Sequence, residues 1–172
     1  GVLGGSADLT GNTGTKLSDT KAFQSTTPGG RQIHYGIREH AMGSALVGAA
    51  MHGGVLPVSG TFLVFSDYMR PAVRLAALSG AKCVLVWSHD SVGVGEDGPT
   101  HQPVEQVMSL RLIPDLTVIR PADGNEVAGA WKFAVEGNGP VAIITSRQST
   151  PTLDGTAILA LDGVGKGAYT LD

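Results

Sequence analysis

The sequence predicts an α/β fold of three layers, in which a mostly parallel sheet is covered by helices on both faces. Short apolar segments alternate with helical segments along the chain, the pattern of strands joined by crossover helices. One segment, 81–87 (Ala-Lys-Cys-Val-Leu-Val-Trp), is apolar and β-branched like a strand buried on both faces. Glycine is abundant, 25 of 172 residues, but it has no Gly-X-Y period. The glycines therefore mark tight turns and close backbone approaches.

Six strands and four helices account for most of the chain. The expected strands cover 1–9, 33–37, 55–60, 82–88, 116–119 and 141–145. The expected helices cover 38–52, 62–78, 104–112 and 125–135. Pro71 either kinks the second helix or starts a new segment. Residues 10–32 are polar and rich in Gly, Thr and Ser, so a long mobile loop is expected there.

Composition and charge exclude several classes of partner. The formal net charge is −3 and the pI is about 5.9, with no run of Lys or Arg, so neither nucleic acid nor a membrane surface is an expected partner. No apolar run reaches the roughly 20 residues that span a bilayer, and the start lacks a basic signal-peptide region. Cys83 is alone and lies in an apolar strand, which indicates a buried structural thiol. We expect a soluble protein of the reducing cytoplasm.

A polar loop at 88–103 follows the most apolar strand. Two imidazoles and three carboxylates fall within thirteen residues of this loop, between glycines and prolines that shape its backbone. The loop begins where a central strand ends, and open α/β sheets bind their ligands at the carboxyl ends of their strands. The sequence therefore predicts an active-site loop.

The residues of this loop also carry a family resemblance. Gly-Glu-Asp-Gly-Pro-Thr-His-Gln-Pro at 95–103, after Ser-His-Asp-Ser at 88–91, resembles the signature of transketolases, in the domain that binds the aminopyrimidine half of thiamine diphosphate. Further stretches that agree in order lie at 4–10, 34–42, 61–68 and 146–148. Related pyrimidine domains, in deoxyxylulose phosphate synthase and the dehydrogenase E1 subunits, would carry other residues at 95–103. The transketolase family is thus a more specific match than these related families.

The resemblance implies a domain organisation and an activity. Residues 1–150 would form the pyrimidine-binding domain, and 151–172, with its Gly-rich stretch 163–167, would be a linker or the start of an absent C-terminal domain. The whole enzyme would transfer a two-carbon ketol unit from a ketose phosphate to an aldose phosphate with thiamine diphosphate as cofactor. This domain alone would be inactive.

The resemblance assigns cofactor contacts to five side chains. Glu39, at a strand-to-helix junction, would bond the aminopyrimidine ring and act in catalysis, whereas its plain structural interpretation is a carboxylate that favours the helix dipole. Phe62, Phe65 and Tyr68 would surround the ring. Their spacing of three also suits core packing near a helix start, although aromatics make up only 5% of the chain. Asp8 would lie near the cofactor and the substrate.

The resemblance assigns substrate contacts to the loop and to the last strand. His89 and Asp97 would bond sugar hydroxyls, and His101 would bond the donor's oxygen or move protons, so both imidazoles are candidate catalytic groups. Arg147 would hold the sugar's phosphate by a forked contact, where a strand-end surface Arg is the plain alternative. A metal site formed by these two imidazoles and Asp97 is a weaker hypothesis than the sugar contacts, because the spacing fits no common zinc pattern. No metal ligands are therefore assigned. The family's Ser after Asp-Leu-Thr is replaced here by Asn12, which removes one expected phosphate contact.

The partners and the rival functions follow from what the chain lacks. Family members hold Mg²⁺ with a separate diphosphate-binding domain that carries Gly-Asp-Gly, and this chain has no Gly-Asp-Gly. We therefore expect that domain, and a second copy in a homodimer, as partners beside sugar phosphates. An isolated binding and dimerisation module is the non-enzymatic alternative. A dinucleotide-binding dehydrogenase is suggested by G-x-G-x-x-G at 93–98, but the acids and prolines there do not suit a pyrophosphate.

Overall fold

The computed structural model describes residues 1–171 and contains one sheet of six parallel strands. The strands are β1 (Val2–Ser6), β2 (Gln32–His34), β3 (Leu56–Phe62), β4 (Val84–Ser88), β5 (Thr117–Ile119) and β6 (Val141–Ile144). They lie in the order β2-β1-β3-β4-β6-β5. The predicted α/β class is confirmed, and every pairing in this sheet is parallel.

Helices cover both faces of the sheet. They are α1 (Glu39–His52), α2 (Ser66–Leu78), α3 (Gln106–Arg111), α4 (Gly124–Glu136) and α5 (Asp154–Gly163). Leu85 and Trp87 of β4 share a buried cluster with side chains of α1, α2 and α3. Val84 and Val86, which point to the opposite face, share a second cluster with α4. The three predicted layers are therefore present.

Strand β4 forms the centre of the core. All five of its residues are buried, as expected for a parallel strand covered on both faces. Cys83, which precedes it, is also buried, and burial raises the pKa of its thiol to about 12. Because the thiolate is the reactive form, Cys83 is a structural residue.

Element bounds differ from the prediction mainly around Phe62. The sequence places Phe62 at the start of a helix, but the parallel ladder extends β3 until Phe62 lies opposite Ser88. A short 3-10 turn, Leu63–Phe65, then leads into α2, which runs unbroken through Pro71. The expected helix at 104–112 is shorter, Gln106–Arg111, and the Gln106 side chain accepts a hydrogen bond from the Val104 N–H just before it.

The segment after residue 150 packs against the domain. Helix α5 lies on α4, where Gly129 allows such close approach that a Cβ added there would come within 2.5 Å of the Ala160 carbonyl oxygen. Lys132 of α4 and Asp162 of α5 form an ion pair at 2.8 Å. Residues 154–163 thus form a helix that packs on α4, while the domain boundary near residue 150 and the assignment of 151–172 as a linker or the start of another domain stay predictions. Asp172 lies outside the described residues.

The long loop between β1 and β2 is tied to the sheet at several points. The Gln32 side chain accepts a hydrogen bond from the Leu17 N–H at 2.9 Å, and Thr13 and Thr15 are buried. Ala22 forms an isolated bridge with Gln32. The expected loop is present, and its mobility stays a prediction. No helix within residues 1–171 has the length and apolar character to cross a membrane.

Candidate active site

The candidate site lies at the carboxyl edge of the sheet. All strands are parallel, so the segments that follow them meet at this edge. β2 lies on one side of β1 and β3 on the other, which makes the gap between the ends of β1 and β3 a topological switch point. Asp8 follows β1, and Phe65 follows β3. Ligand binding is expected between them.

A cavity of about 450 Å³, here called the edge cavity, lies at this switch point. Four predicted cofactor contacts line it: Asp8, Glu39, Phe65 and Tyr68. Its remaining lining residues are Ala7, Leu9 and Ile37. Sequence reasoning missed those three because apolar residues beside strands carry no signal that separates a cavity wall from ordinary core. All three nevertheless lie in stretches that carry the family resemblance, Ala7 and Leu9 in 4–10 and Ile37 in 34–42.

Glu39 places a carboxyl group at the wall of the edge cavity. It is the first residue of α1 and is only 6% exposed. None of the hydrogen bonds and ion pairs described within residues 1–171 ends on this carboxyl, and the adjacent Arg38 guanidinium donates instead to the Tyr35 carbonyl oxygen at 2.8 Å. The Glu39 oxygens are not among the fully enclosed side-chain atoms that lack a partner, so they remain accessible at the wall of the edge cavity. The arrangement therefore suits a ligand that brings a hydrogen-bonding atom to Glu39.

A stack of rings connects the edge cavity with the two imidazoles. Phe62 and Phe65 are nearly parallel, with ring centroids 5.9 Å apart, and Phe65 and Tyr68 are also 5.9 Å apart. The His89 ring lies on Phe62 at 3.6 Å, and His101 meets Phe65 edge-on at 5.3 Å. The structure thus brings together five predicted site residues. Phe62 belongs to the stack and does not line the cavity.

The backbone conformation and two neighbours hold the His89 ring in place. The φ of His89 is 60°, in the left-handed region that residues other than glycine rarely adopt, and backbone strain of this kind clusters at functional sites. Phe62 covers one face of the ring. Ser88 Oγ lies 2.9 Å from His89 Nδ1, within hydrogen-bond distance. Ser88 lies in the motif at 88–91, but its contact with His89 could not be predicted, because a hydroxyl at a strand end has no local sequence signal.

Electrostatics favour the neutral form of His89. Burial is the largest cause that lowers the pKa of its imidazole, and the positive charge of Arg147 and the nearby His101 lower it further. Asp97 and Asp90 act in the opposite direction and are outweighed. Asp90 itself is paired with Arg120, its Oδ2 2.7 Å from a guanidinium nitrogen. His89 is therefore suited to accept a proton or a hydrogen bond near neutral pH.

Arg147 lies on the other side of His89, at the wall of a second cavity. This second cavity has a volume of about 260 Å³, and Asn12, Ser88, His89 and Arg147 are among its lining residues. The Arg147 guanidinium is close to the active-site loop, because a Cβ added at Gly95 would come within 3.5 Å of its Cζ. A forked cation beside an imidazole suits an anionic, hydroxyl-bearing ligand.

Two alternative interpretations of the sequence, a metal site and a dinucleotide-binding site, lack the structural features that they require. Within residues 1–171, no group of three or more His, Cys, Asp or Glu side chains is arranged to hold a metal ion. A dinucleotide fingerprint needs a helix directly after its glycines, but Gly98 is followed by a three-residue 3-10 turn, Pro99–His101, and α3 begins only at Gln106. Glu96 and Asp97 are also anions within the segment that would have to bind a pyrophosphate.

The parallel sheet and the switch-point cavity, with its buried carboxyl and its aromatic wall, define an α/β ligand-binding domain. Comparison with known proteins narrows this class. The family model described as "Transketolase, pyrimidine binding domain" matches residues 1–152. The chain therefore belongs to the transketolase pyrimidine-binding domain family, which confirms the resemblance carried by the motifs.

Relatives and solved structures agree with this assignment. The transketolase of Aquifex aeolicus (strain VF5) is 56% identical over 171 residues, which cover 99% of this chain and 25% of that protein. A transketolase structure from Leishmania mexicana superposes with a TM-score of 0.94 at 46% identity, over 99% of this chain and 25% of that chain. A Pichia stipitis transketolase in complex with sedoheptulose-7-phosphate gives 0.91 at 45% identity, over 99% and 26%. The chain thus spans about a quarter of the length of these proteins.

Proposed function

We propose that this chain supplies the aminopyrimidine-binding half of a thiamine diphosphate site in a transketolase. With the rest of that enzyme it contributes to the transfer of a two-carbon ketol unit from a ketose phosphate to an aldose phosphate. The observation that carries the proposal is the buried Glu39 carboxyl at the wall of the edge cavity, beside the rings of Phe65 and Tyr68. A flat heteroaromatic ring with a basic nitrogen fits such a cavity, because it can stack on the aromatic side chains and form a hydrogen bond with the carboxyl at the same time.

The side chains of the edge cavity have separate tasks in this proposal. When bound, thiamine diphosphate supplies the acidic thiazolium carbon that accepts and passes on the two-carbon unit. Glu39 holds a proton at a ring nitrogen of the aminopyrimidine and can return it, as a general acid and base. Phe65 and Tyr68 stack on the ring and exclude water from it, while Phe62 holds Phe65 in place. Asp8 lies where the cofactor and the substrate meet.

The side chains around the second cavity bind the sugar phosphate in this proposal. His89 and Asp97 bond sugar hydroxyls, and His101 bonds the donor's oxygen or moves a proton. Arg147 takes the phosphate in a bidentate contact, which its guanidinium suits. Asn12, which takes the place of the family's Ser in the motif, is among the residues that line the same cavity. This assignment is supported by the position of both imidazoles, which lie against the ring stack whose Phe65 and Tyr68 also line the edge cavity.

Other parts of the enzyme complete the site. The diphosphate and its Mg²⁺ need oxygen ligands and backbone donors, and we assign them to a separate diphosphate-binding domain. We also propose that two copies of the enzyme associate, and that it works in the reducing cytoplasm, for which the lone buried Cys83 is the support.

A chimeric enzyme tests the proposal. In this chimera, the chain replaces the matching segment of the Aquifex aeolicus transketolase, and ketol transfer from sedoheptulose 7-phosphate to an aldose phosphate is measured. We expect activity, and we expect Glu39→Gln to lower kcat by about 10²- to 10⁴-fold, because an amide cannot exchange the proton. Glu136→Gln, an exposed carboxylate at the end of α4, is the matched control and should keep full activity.

Two outcomes would contradict the proposal. Near-normal turnover of the Glu39→Gln chimera with tightly bound cofactor would remove Glu39 from catalysis. A folded, cofactor-loaded chimera without ketol transfer would instead favour the alternative, a binding and dimerisation module without catalysis of its own.

A further inference from the structure

One buried side chain fastens the end of the active-site loop to helix α2. Gln106, the first residue of α3, is only 3% exposed, and both ends of its amide have partners. Its Oε1 accepts a hydrogen bond from the Val104 N–H at 2.9 Å, and its Nε2 donates to Asp67 Oδ2 at 2.9 Å. A backbone N–H can only donate and a carboxylate can only accept, so these two partners fix the orientation of the amide.

A stiff segment connects this attachment with His101. A 3-10 turn, Pro99–His101, ends at the imidazole. Gln102 is extended, with φ of −95° and ψ of 103°, as expected for a residue before a proline, and the ring of Pro103 fixes the next φ. Few backbone torsions are therefore free between Val104 and His101, so a shift of one moves the other.

The other end of the contact lies in the aromatic wall of the edge cavity. Asp67 belongs to the first turn of α2. Phe65, two residues before it, and Tyr68, directly after it, line the edge cavity. His101 meets Phe65 edge-on, with 5.3 Å between the ring centroids. The bond from Gln106 to Asp67 thus joins the loop end that carries His101 to the helix start that carries the wall.

We propose that Gln106 is a positioning residue for ketol transfer, which through Asp67 sets the place of His101 against the ring stack. This inference rests on the proposed function, in which His101 bonds the donor's oxygen or moves a proton. A buried amide with both ends paired defines one arrangement of the segments that it joins. The two helices have a further bond, from the Arg70 guanidinium to Ser109 Oγ at 2.7 Å, so they should stay together without the Gln106 contact.

An isosteric substitution in the chimera defined above tests the inference. Gln106→Glu keeps the shape and the acceptor for the Val104 N–H, but it places a carboxylate against Asp67 and removes the donor. At about pH 8, to keep both carboxyl groups ionised, we expect kcat to fall about 10- to 100-fold, the scale on which small displacements of reacting groups act. The affinity for thiamine diphosphate should stay unchanged. Gln24→Glu, the same change at an exposed glutamine, is the matched control.

A second substitution should restore the contact with its direction reversed. When Asp67→Asn is added to Gln106→Glu, the new amide donates to the new carboxylate, whose other oxygen still accepts from Val104. We expect this double variant to recover most of kcat. Asp67→Asn alone keeps an acceptor oxygen for Gln106 and should lose little. The kcat is expressed per bound cofactor and measured well below the melting temperature of each variant, so that a loss of stability alone would leave it unchanged.

A second measurement reads the position of His101 without reference to activity. Nuclear Overhauser contacts between the His101 and Phe65 rings of the 172-residue chain should weaken in Gln106→Glu and return in the double variant. Full kcat or unchanged ring contacts in Gln106→Glu, or a double variant no more active than Gln106→Glu, would overturn the inference. If His101→Gln leaves kcat of the chimera unchanged, the proposed function of His101 fails, whatever the ring contacts show.

Discussion

At the scale of single residues, Gly60 decides how the long loop meets the sheet. It lies inside β3, on the side where Thr13 and Thr15 of the loop are buried and share a hydroxyl hydrogen bond of 2.8 Å. A Cβ added at Gly60 would come within 2.5 Å of the Thr15 side chain and 2.6 Å of the Thr13 hydroxyl. The loop that carries Asn12 can therefore close on β3 only because position 60 has no side chain.

We expect Gly60→Ala to destabilise the chain by about 1 to 3 kcal/mol, the usual cost of forcing one methyl group into packed structure. Gly48→Ala is the matched control. Gly48 lies in the interior of α1 with nothing within 4 Å of an added Cβ, so alanine should stabilise the helix by about 0.5 to 1 kcal/mol. Urea denaturation measures both changes, and equal shifts of the two midpoints would contradict this account of Gly60.

At the scale of elements, Asp123 joins α4 to α5. Its carboxylate accepts hydrogen bonds from the Glu126 N–H at 2.9 Å, which caps α4, and from the Leu153 N–H at 3.0 Å. It also accepts from the Thr156 hydroxyl in the first turn of α5. These bonds, led by the one from Leu153, lower the pKa of Asp123. One carboxylate therefore holds the start of α5 against the start of α4.

This contact should make the docking of α5 depend on pH. Because the folded pKa of Asp123 is depressed, its contribution is present above the unfolded value of about 3.9 and is lost as pH falls through the lower folded value. We expect hydrogen-exchange protection of α5, corrected for the intrinsic rate, to be constant above about pH 5 and to fall below about pH 4.

Asp123→Asn should weaken protection of α5 at pH 7 and remove its dependence on pH in that window. Asp115→Asn is the matched control, since Asp115 is exposed and asparagine tolerates its left-handed φ of 63°. Unaltered protection of α5 in Asp123→Asn, or the same loss in Asp115→Asn, would show that α5 is held by packing alone.

At the scale of the whole molecule, the proposed function gives this chain one half of a cofactor site. The edge cavity offers a carboxyl and aromatic rings, and the loops at the same edge carry Asp8, Glu96 and Asp97. A diphosphate instead needs backbone donors, basic side chains or a metal with oxygen ligands. Binding by this chain alone should therefore come from a single ring.

We expect the isolated 172-residue chain to bind thiamine diphosphate with roughly millimolar affinity, as stacking and hydrogen bonds worth a few kcal/mol provide. Mg²⁺ should add little, and no ketol transfer should occur. Calorimetry with thiamine and with thiamine diphosphate, each with and without Mg²⁺, measures this. Micromolar, Mg²⁺-dependent binding of the diphosphate would reveal a phosphate anchor within this chain.

The exposed apolar surface leads to a second expectation for the isolated chain. Val104 and Leu112, which flank α3, are 78% and 79% exposed, and Ile37 at the edge cavity is 79% exposed. Apolar surface of this kind marks contact sites, so we expect the isolated chain to self-associate at micromolar concentration. Sedimentation over a range of concentrations, at low and high salt, is the measurement. A monomer at every concentration would count against it, and dissociation by salt would point to charges instead.

The sequence by itself determined the class of fold, and its motifs pointed to most of the residues that line the candidate site. Apolar segments of strand length that alternate with helical segments predict a parallel sheet covered by helices. The continuous apolar run before Ser88 predicts a strand buried on both faces, and β4 is such a strand. Motifs at 34–42, 61–68 and 95–103 identified the family, which the match over residues 1–152 confirms. These features are local, so they can be read without knowing which segments meet.

Only the tertiary structure decided which residues meet. Phe62 ends a strand instead of starting a helix because its partner in the ladder is Ser88, and the pairing register between distant strands leaves no trace in local periodicity. The bond from Ser88 to the Asn12 carbonyl joins residues 76 positions apart. Helix α5 docks on α4 because Gly129 admits the Ala160 carbonyl oxygen and Asp123 binds both helices. Each of these contacts depends on the three-dimensional approach of segments whose sequences are individually unremarkable, and that is why the structure was needed to find them.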